Sequence, residues 1–161
     1  MELSNERINY NELIDKFKRL VPTGGLIYDI GKSQLLEYKS TFKDYKYLTV
    51  DRNRNIGADI IDDLEETKIV ELADGVLCNG VMEQCTDPVA VMRGVYNIMK
   101  PNGHLLFGAV SLGYPPFEFD YCRFTPKGVD YVLLPHFKIL ETKIVYRNEL
   151  PSYTFKICKK E

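Results

Sequence analysis

Two neighbouring segments are the most informative part of this chain: Asp74-Gly-Val-Leu-Cys-Asn-Gly-Val-Met-Glu-Gln-Cys-Thr-Asp-Pro88 and, a short distance later, Ile98-Met-Lys-Pro-Asn-Gly-His-Leu-Leu-Phe107. The first part of the first segment is a short apolar run that ends in a polar turn, which is typical of a buried strand. Asp87 and Pro88 indicate a helix start, because aspartate caps free backbone N–H groups and proline lacks one. A Lys-Pro-Asn-Gly turn then leads into a second apolar run over residues 103–110. The pattern predicts a strand–helix–strand unit.

Strand-sized and helix-sized patterns also alternate over the rest of the chain. Apolar side chains recur with a helical period over residues 10–20, and short helices are predicted at 35–42, 65–72 and 126–134. Further strands are predicted at 26–30, 45–50, 58–61, 137–146 and 152–158. This order predicts an α/β fold with a mostly parallel sheet, and the last two strands are expected to pair as an antiparallel hairpin at one edge.

One connection is too short for the usual helical crossover between parallel strands. Only seven residues separate Asp51 from Asp59, whereas a crossover helix needs roughly a dozen. The helix between the second and third strands is therefore predicted to be missing.

Composition narrows the classes of function. The chain has 161 residues, 45% of them hydrophobic, and a net charge of -2 with interspersed signs. The lack of a basic stripe argues against nucleic acid as a partner, and the strand-sized apolar runs and polar N-terminus argue against a membrane span or signal peptide. Cys78, Cys85, Cys122 and Cys158 lack metal-ligand spacing, so we expect free thiols in a reducing cytoplasm and no metal site.

The unit described first resembles the strand-four-to-strand-five region of class I S-adenosylmethionine-dependent methyltransferases, of the type 11-like kind, with its Asp-Pro and Lys-Pro-Asn-Gly elements. The resemblance covers nearly the whole chain and implies a three-layer Rossmann-like fold, trimmed by one helix, that binds S-adenosylmethionine. It implies a single domain over residues 1–161. Residues 1–22 are the N-terminal helix, 26–110 the cofactor-binding half, and 111–161 the lid loop and terminal hairpin.

The resemblance also implies which residues contact the cofactor, at the carboxyl ends of the strands where such folds bind ligands. Asp29 and Gly31 match the glycine-rich Asp-x-Gly-x-Gly loop, in which Ser33 stands at the second glycine or the loop is two residues shorter. Asp51 matches the carboxylate that binds the ribose hydroxyls, although aspartate is also common in turns.

Two further segments complete the predicted cofactor site. Asp63 and Leu64 match the residues that face the adenine ring, with Asp62 as the competing acid of the pair. Asn79 and Gly80 match the turn beside the amino-acid end and the transferred methyl group, while Cys78 is interpreted as a small buried side chain.

The candidates for catalysis are Glu83, Asp120 and Arg123, and none is assigned as the base. Residues 120–126, Asp-Tyr-Cys-Arg-Phe-Thr-Pro, resemble an Asp-Tyr-Tyr-Arg-Phe-Thr segment of some of these enzymes, and residues 114–123, the lid loop, are expected to cover the site. Arg123 is interpreted either as a ligand for an anionic group or as the partner of Asp120 that holds this loop. Gln84 replaces a common histidine and cannot accept a proton.

Both histidines of the chain are interpreted as structural or exposed. His104 begins a strand at the end far from the site, and His136 lies in a turn.

The predicted function is methyl transfer to a small-molecule or sugar acceptor. The alternative is a non-catalytic domain that keeps the fold and binds the cofactor weakly or serves as an interaction module. A dehydrogenase is disfavoured because the GxGxxG pattern is absent.

Overall fold

A seven-stranded sheet with the order β3-β2-β1-β4-β5-β7-β6 organises the molecule. The computed structural model describes residues 4–32 and 38–161. The strands are β1 (Leu26–Ile30), β2 (Lys46–Asp51), β3 (Ile60–Ile61), β4 (Ala73–Asn79), β5 (Met99–Val110), β6 (Phe137–Arg147) and β7 (Leu150–Lys160). The first five are mutually parallel, and β7 runs antiparallel to both β5 and β6. The predicted sheet with its antiparallel C-terminal hairpin is confirmed.

Helix α1 (Asn5–Leu20) covers one face of the sheet. Ser4 caps its start, since the side-chain oxygen accepts a hydrogen bond from the Arg7 backbone N–H. Its buried face, which includes Leu13 and Phe17, packs with Ile27 and Leu77 in one of two core clusters. The helical period in the sequence is confirmed, and the helix begins five residues earlier than residue 10.

Helix α2 (Pro88–Asn97) covers the opposite face. The Asp87 carboxylate accepts a hydrogen bond from the Ala90 backbone N–H, as expected for the predicted cap. α2 packs directly on the backbone of Leu64, because a Cβ atom added at Gly94 would lie 1.9 Å from the Leu64 carbonyl oxygen. Of the described helices, none is long and apolar enough to cross a membrane.

The connection between β2 and β3 is short, as predicted. It holds a single 3-10 turn, Arg54–Ile56, and no crossover helix. Asp59 binds the backbone N–H and the hydroxyl of Thr49 in β2, at 2.8 and 2.7 Å. These contacts hold the following strand against β2 without a helix.

Several predicted helices are shorter than expected. Of the helix predicted at 35–42, residues 35–37 lie outside the described residues and 38–42 form only a turn. The helix predicted at 65–72 is one 3-10 turn, Leu64–Glu66, because the Asp62 carboxylate binds the Thr67 hydroxyl and the Lys68 N–H and ends it. The one predicted at 126–134 is α3 (Pro126–Gly128) followed by a π-helical turn, Val129–Leu133.

Candidate functional site

A cavity of about 430 Å³ opens at the carboxyl ends of the central parallel strands. Such a volume falls within the range of small-molecule sites. Six of the residues predicted from the sequence line it, namely Gly31, Asp51, Asp63, Leu64, Asn79 and Gly80. Asp29 is not among the lining residues, and Ser33 lies outside the described residues.

Gly31 brings the backbone of the loop after β1 against the far wall of the cavity. Its φ angle is +80°, a left-handed conformation that glycine adopts without strain. A Cβ atom at this position would lie 2.6 Å from Cγ2 of Val81. A glycine is therefore required here both for the backbone angle and for the close approach.

Asp51 joins two loops at the cavity wall. Its carboxylate accepts hydrogen bonds from the backbone N–H of Lys32, at 3.0 Å, and of Asn53, at 2.7 Å. A carboxylate offers about four lone-pair positions, and two of them are taken by these N–H groups within the described residues.

The two acidic residues after β3, Asp62 and Asp63, differ in the hydrogen bonds that they accept. Asp62 accepts hydrogen bonds from the Thr67 hydroxyl and from the Lys68 N–H. Asp63 is exposed and makes one local bond, from the Glu65 N–H at 3.1 Å. Both carboxylates line the cavity, and Asp63 keeps more free acceptor capacity. That favours Asp63 over Asp62 for contact with an adenine amino group, which stays a prediction.

Asp29 is directed into an aromatic cluster on the α1 side of the sheet. The Tyr47 hydroxyl donates a hydrogen bond to its carboxylate. Burial raises the pKa of Asp29 to about 7, and the bond from Tyr47 opposes that rise. The Asp29 carboxylate is therefore bound on the α1 side of the sheet and does not line the cavity.

The turn after β4 carries the polar groups at the other end of the cavity. Gly80 has a φ angle of +69°, and a Cβ atom there would lie 3.1 Å from the Tyr153 hydroxyl oxygen. Asn79 places its Oδ1 against Gly108 of β5, where an added Cβ atom would come within 2.2 Å. Tyr153 lines the cavity and was missed by the sequence analysis. The available signal was the predicted hairpin, since the start of an antiparallel strand lies beside the carboxyl end of β5.

Glu83 is buried directly behind this turn, with 1% of its surface exposed. Burial raises its pKa to about 7, an effect that two backbone N–H groups and the Arg123 charge oppose. Within the described residues its Oε2 atom has no hydrogen-bond partner. A carboxyl group with this pKa can take up or release a proton at neutral pH.

Arg123 holds the lid loop together. Its Nε donates to both carboxylate oxygens of Asp120 at 2.8 Å, and Nη2 also binds Asp120. Its other N–H groups bind the carbonyl oxygens of Ser111, Tyr114 and Pro115 at 2.7, 2.9 and 3.2 Å. All five N–H donors of the guanidinium are thereby used. The geometry favours the loop-holding role over binding of an anion, for which no donor remains.

The lid loop is held at both ends and exposed in its middle. The N–H groups of Tyr121 and Cys122 bind the Glu83 carbonyl oxygen, at 2.7 and 3.2 Å. Phe117 and Phe119 are exposed, and so is Tyr121. Aromatic surface therefore lies close to the turn that contains Gln84, a residue of the cavity wall.

Arg52 lies at the cavity wall, whereas the two histidines lie away from it. Arg52, which sequence reasoning missed although it directly follows Asp51, lines the cavity and donates to the Gln84 carbonyl oxygen at 3.3 Å. His104 is half-buried in β5, where burial lowers its pKa, and His136 is exposed beside Tyr96. Neither histidine lines the cavity.

Comparison with solved structures tests the fold that these observations indicate. The 1,6-didemethyltoxoflavin-N1-methyltransferase of Burkholderia thailandensis, solved with 1,6-didemethyltoxoflavin and S-adenosylhomocysteine, superimposes with a TM-score of 0.70 at 15% identity, over 94% of this chain and 76% of that chain. The N-methyltransferase NodS of Bradyrhizobium japonicum WM9 gives a TM-score of 0.70 at 14% identity, over 98% and 99% of the two chains. The chain has the class I methyltransferase fold.

The likeness is one of structure and not of sequence. Neither a protein-family model nor a curated protein sequence matches the chain. The methyltransferase fold is also found in the [4+2]-cyclase SpnF, with a TM-score of 0.68 at 11% identity over 93% of this chain and 80% of that chain. At these identities the comparison establishes the fold, and the activity has to be argued from the site.

Proposed function

We propose that this protein binds S-adenosylmethionine in the cavity and transfers its methyl group to a small-molecule acceptor. The observation that carries the proposal is the Asp51 carboxylate. It is held by two backbone N–H groups at the end of β2 and lines the cavity, and we propose that its other acceptor positions bind the ribose hydroxyls. The bound cofactor would supply a methyl group already activated by a sulfonium ion. The protein then has to position the acceptor and exclude water.

The residues present fit such a ligand. Gly31 and Gly80 leave bare backbone at two points of the wall, because both have positive φ angles and no side chain. Asp63 and the Leu64 backbone are proposed to face the adenine ring, and Asn79 and Gly80 the methionine end. In this division residues 26–110 hold the cofactor, and residues 111–161 supply the lid loop and acceptor contacts of the same domain.

The aromatic side chains of the lid loop favour a small organic acceptor. Its exposed aromatic side chains, Phe117, Phe119 and Tyr121, offer flat apolar surface suited to a small organic molecule or the apolar face of a sugar. The neighbour from Burkholderia was solved with a small heterocyclic compound, which supports the same class. The four cysteines are free thiols, in keeping with the proposed cytoplasmic location.

Calorimetric titration with S-adenosylhomocysteine is the first test. Saturation at 100 times the dissociation constant should stabilise the fold by about 2.7 kcal/mol, so a thermal melt gives an independent readout. Absence of both heat and stabilisation at millimolar ligand would contradict the proposed cofactor. Formation of S-adenosylhomocysteine that depends on an added acceptor, detected by mass spectrometry, tests the transfer step.

The competing function is a cofactor-binding domain without methyl transfer. Two observations favour it: Gln84 takes the position of a common histidine, and none of the described residues that line the cavity is a histidine. The cyclase neighbour shows that this fold also occurs in a protein named for a reaction other than methyl transfer. Tight binding of S-adenosylhomocysteine without turnover on any of a wide panel of amines, phenols and sugars would support this alternative.

A further inference from the structure

The Tyr153 hydroxyl is a nearly buried polar group at the wall of the cavity. Tyr153 has 8% of its surface exposed and lines the cavity together with Gly80. A Cβ atom added at Gly80 would lie 3.1 Å from the hydroxyl oxygen, so this oxygen faces the bare backbone of the turn after β4. Within residues 4–32 and 38–161 the hydroxyl forms no hydrogen bond.

This hydroxyl differs from the fully enclosed oxygen atoms nearby. Oδ1 of Asn79 and Oε2 of Glu83 are inaccessible, whereas the Tyr153 oxygen keeps surface that a molecule in the cavity can reach. Most buried polar groups in proteins are paired, because an unpaired one loses its water without compensation. A bound molecule is therefore the expected partner of Tyr153.

Aromatic neighbours fix the direction of the hydroxyl. The Tyr153 ring stacks on Phe155, with centroids 4.6 Å apart, and the Tyr114 ring of the lid loop stands nearly perpendicular to it at 6.0 Å. The Arg147 guanidinium lies over the Tyr114 ring, 5.3 Å from its centroid. Burial holds the pKa of Tyr153 well above its usual range, so the hydroxyl stays protonated and can both donate and accept a hydrogen bond.

Charged residues line only one side of the described cavity wall. They lie at or after the ends of β1, β2 and β3, and are Lys32, Asp51, Arg52, Asp62 and Asp63. The described lining residues from Leu64 to Tyr153 are all uncharged. Since β4, β5 and β7 follow β1 in the sheet, the uncharged part of the wall lies toward the terminal hairpin.

We infer that the Tyr153 hydroxyl binds the methyl acceptor, and that this acceptor is an uncharged molecule with a hydrogen-bonding group near its reacting atom. The inference rests on the proposed methyl transfer and narrows its substrate class. The turn beside Tyr153 is the one proposed to hold the methionine end of the cofactor. A molecule bound to the hydroxyl therefore lies next to the transferred methyl group.

The surroundings of Tyr153 disfavour a charged acceptor. Moving a charge out of water costs free energy unless an opposite charge or several hydrogen bonds compensate. The nearby cations are already paired, since Arg123 is bound by Asp120 and by carbonyl oxygens and Arg147 lies 3.2 Å from Glu6. A carboxylate or phosphate group thus lacks a counter-charge here. An ammonium ion has no free electron pair to take the methyl group.

Removal of the hydroxyl gives a first test that needs no ligand. Tyr153→Phe keeps the stacked ring and removes an unpaired polar atom, so it should melt at the wild-type temperature or up to about 4 °C above it. The control Tyr146→Phe removes an exposed hydroxyl from β6 and should melt within about 2 °C of the wild type. A melting temperature of Tyr153→Phe more than about 2 °C below the wild type would show that the hydroxyl is bonded inside the protein, and would overturn the inference.

Two probes that differ in charge test the acceptor class. Benzamide carries an uncharged amide, and benzoate has the same ring and nearly the same shape with a negative charge. Each is titrated into the protein saturated with S-adenosylhomocysteine and followed by the NMR signals of isotope-labelled tyrosine, in which the Tyr153 signal is the one lost in Tyr153→Phe. Benzamide should shift this signal and bind at least about tenfold more tightly than benzoate.

The same variants test whether the hydroxyl makes the contact. Tyr153→Phe should bind benzamide about three- to tenfold more weakly than the wild type, because one uncharged hydrogen bond is lost. Its affinity for S-adenosylhomocysteine, measured by calorimetry, should change by less than about twofold. Tyr146→Phe should leave both affinities unchanged.

The outcomes separate this inference from the proposed function. If S-adenosylhomocysteine fails to bind the wild type, the proposed function fails and the inference with it. If it binds, but benzamide does not bind, binds no better than benzoate or keeps its affinity in Tyr153→Phe, the inference alone is overturned. A loss of S-adenosylhomocysteine affinity of about tenfold or more in Tyr153→Phe would assign the hydroxyl to the cofactor and overturn the inference as well.

Discussion

Two loops at the same edge of the sheet use their acidic residues in opposite ways. In the loop after β2, Asp51 binds two backbone N–H groups and still presents free lone pairs to the cavity. In the lid loop, Asp120 is bound in a fork by Arg123, whose other donors are taken by three carbonyl oxygens. The two carboxylates therefore differ in the hydrogen-bonding capacity that they leave free, a difference that their places in the sequence motifs do not show.

The largest expected effect is the loss of stability when the Arg123 contacts of the lid loop are removed. Arg123→Ala leaves Asp120 and three carbonyl oxygens without their donor, and loss of one partner of a largely buried ion pair costs about 3–5 kcal/mol. The matched control is Lys16→Ala, which removes an exposed ion pair with Glu141 and should cost less than about 1 kcal/mol. Urea unfolding measures both. Equal free energies of unfolding for the two variants would show that the Arg123 contacts do not hold the loop.

The second effect concerns the cavity side. Asp51→Ala should weaken binding of S-adenosylhomocysteine by about ten- to a hundredfold, because a charged acceptor of two hydroxyl groups is lost. Asp62→Ala is the control, since that carboxylate is largely taken up by Thr67 and Lys68. Calorimetry well below the melting temperature measures both affinities. Wild-type affinity in Asp51→Ala would remove the proposed ribose contact.

A third experiment separates backbone angle from close approach at the cavity wall. Gly31 and Gly24 share a φ angle of +80°, but only Gly31 has an atom within 4 Å of an added Cβ. Both alanine variants lose roughly 1 kcal/mol to the left-handed backbone. Gly31→Ala should lose about 1–2 kcal/mol more through its clash with Val81.

A second substitution, Val81→Ala, tests whether the clash with Val81 causes the additional loss in Gly31→Ala. Thermal unfolding of the double variant Gly31→Ala/Val81→Ala should show part of the additional loss recovered, because the clashing methyl group is gone. If Gly31→Ala and Gly24→Ala unfold at the same temperature, the loop after β1 does not pack against Val81 as closely as the structure shows.

A fourth experiment concerns Glu83, whose backbone carbonyl oxygen anchors the lid loop. Its pKa rises from 4.5 to about 7 on folding, so the folded protein binds this proton more tightly than the unfolded chain. The stabilisation is fully present below about pH 4.5 and is lost as the pH rises through about 7. Glu83→Gln should therefore flatten the fall in stability between pH 5 and pH 8, by about 2–3 kcal/mol.

Melting curves at the two pH values measure this change. Asp29, whose pKa rises in the same direction, is present in both proteins, so its contribution cancels. Glu65→Gln, with the wild-type slope, is the expected control. A steeper slope in Glu83→Gln than in the wild type would contradict the raised pKa.

The fold was predictable because its signals are local. Asp87 and Pro88 mark the start of α2 by capping chemistry alone, and the chain length between Asp51 and Asp59 rules out a crossover helix. The helices predicted at 65–72 and 126–134 came out short or irregular. In the first case the Asp62 side chain competes for backbone N–H groups, a contact that periodicity does not contain.

The candidate site was predictable only in part. Gly31, Asp51, Asp63 and Gly80 were found because they follow strands directly, and parallel strands bring their carboxyl ends to one edge. Tyr153 was not found, because it reaches this edge from an antiparallel strand more than forty residues after β5. Its relevance depends on the register Val110 to Tyr153, which no local pattern specifies.

Local sequence patterns account for the order of the strands and helices along the chain, the missing crossover and the acidic residues at the strand ends, since each depends on neighbours a few positions away. Tertiary contacts add three features that local patterns do not contain: all five Arg123 donors are bound by Asp120 and three carbonyl oxygens, Asp29 binds Tyr47, and Glu83 is buried beside Gly80. Hydrogen-bond saturation and desolvation are properties of groups brought together from distant parts of the chain, so no local sequence pattern specifies them.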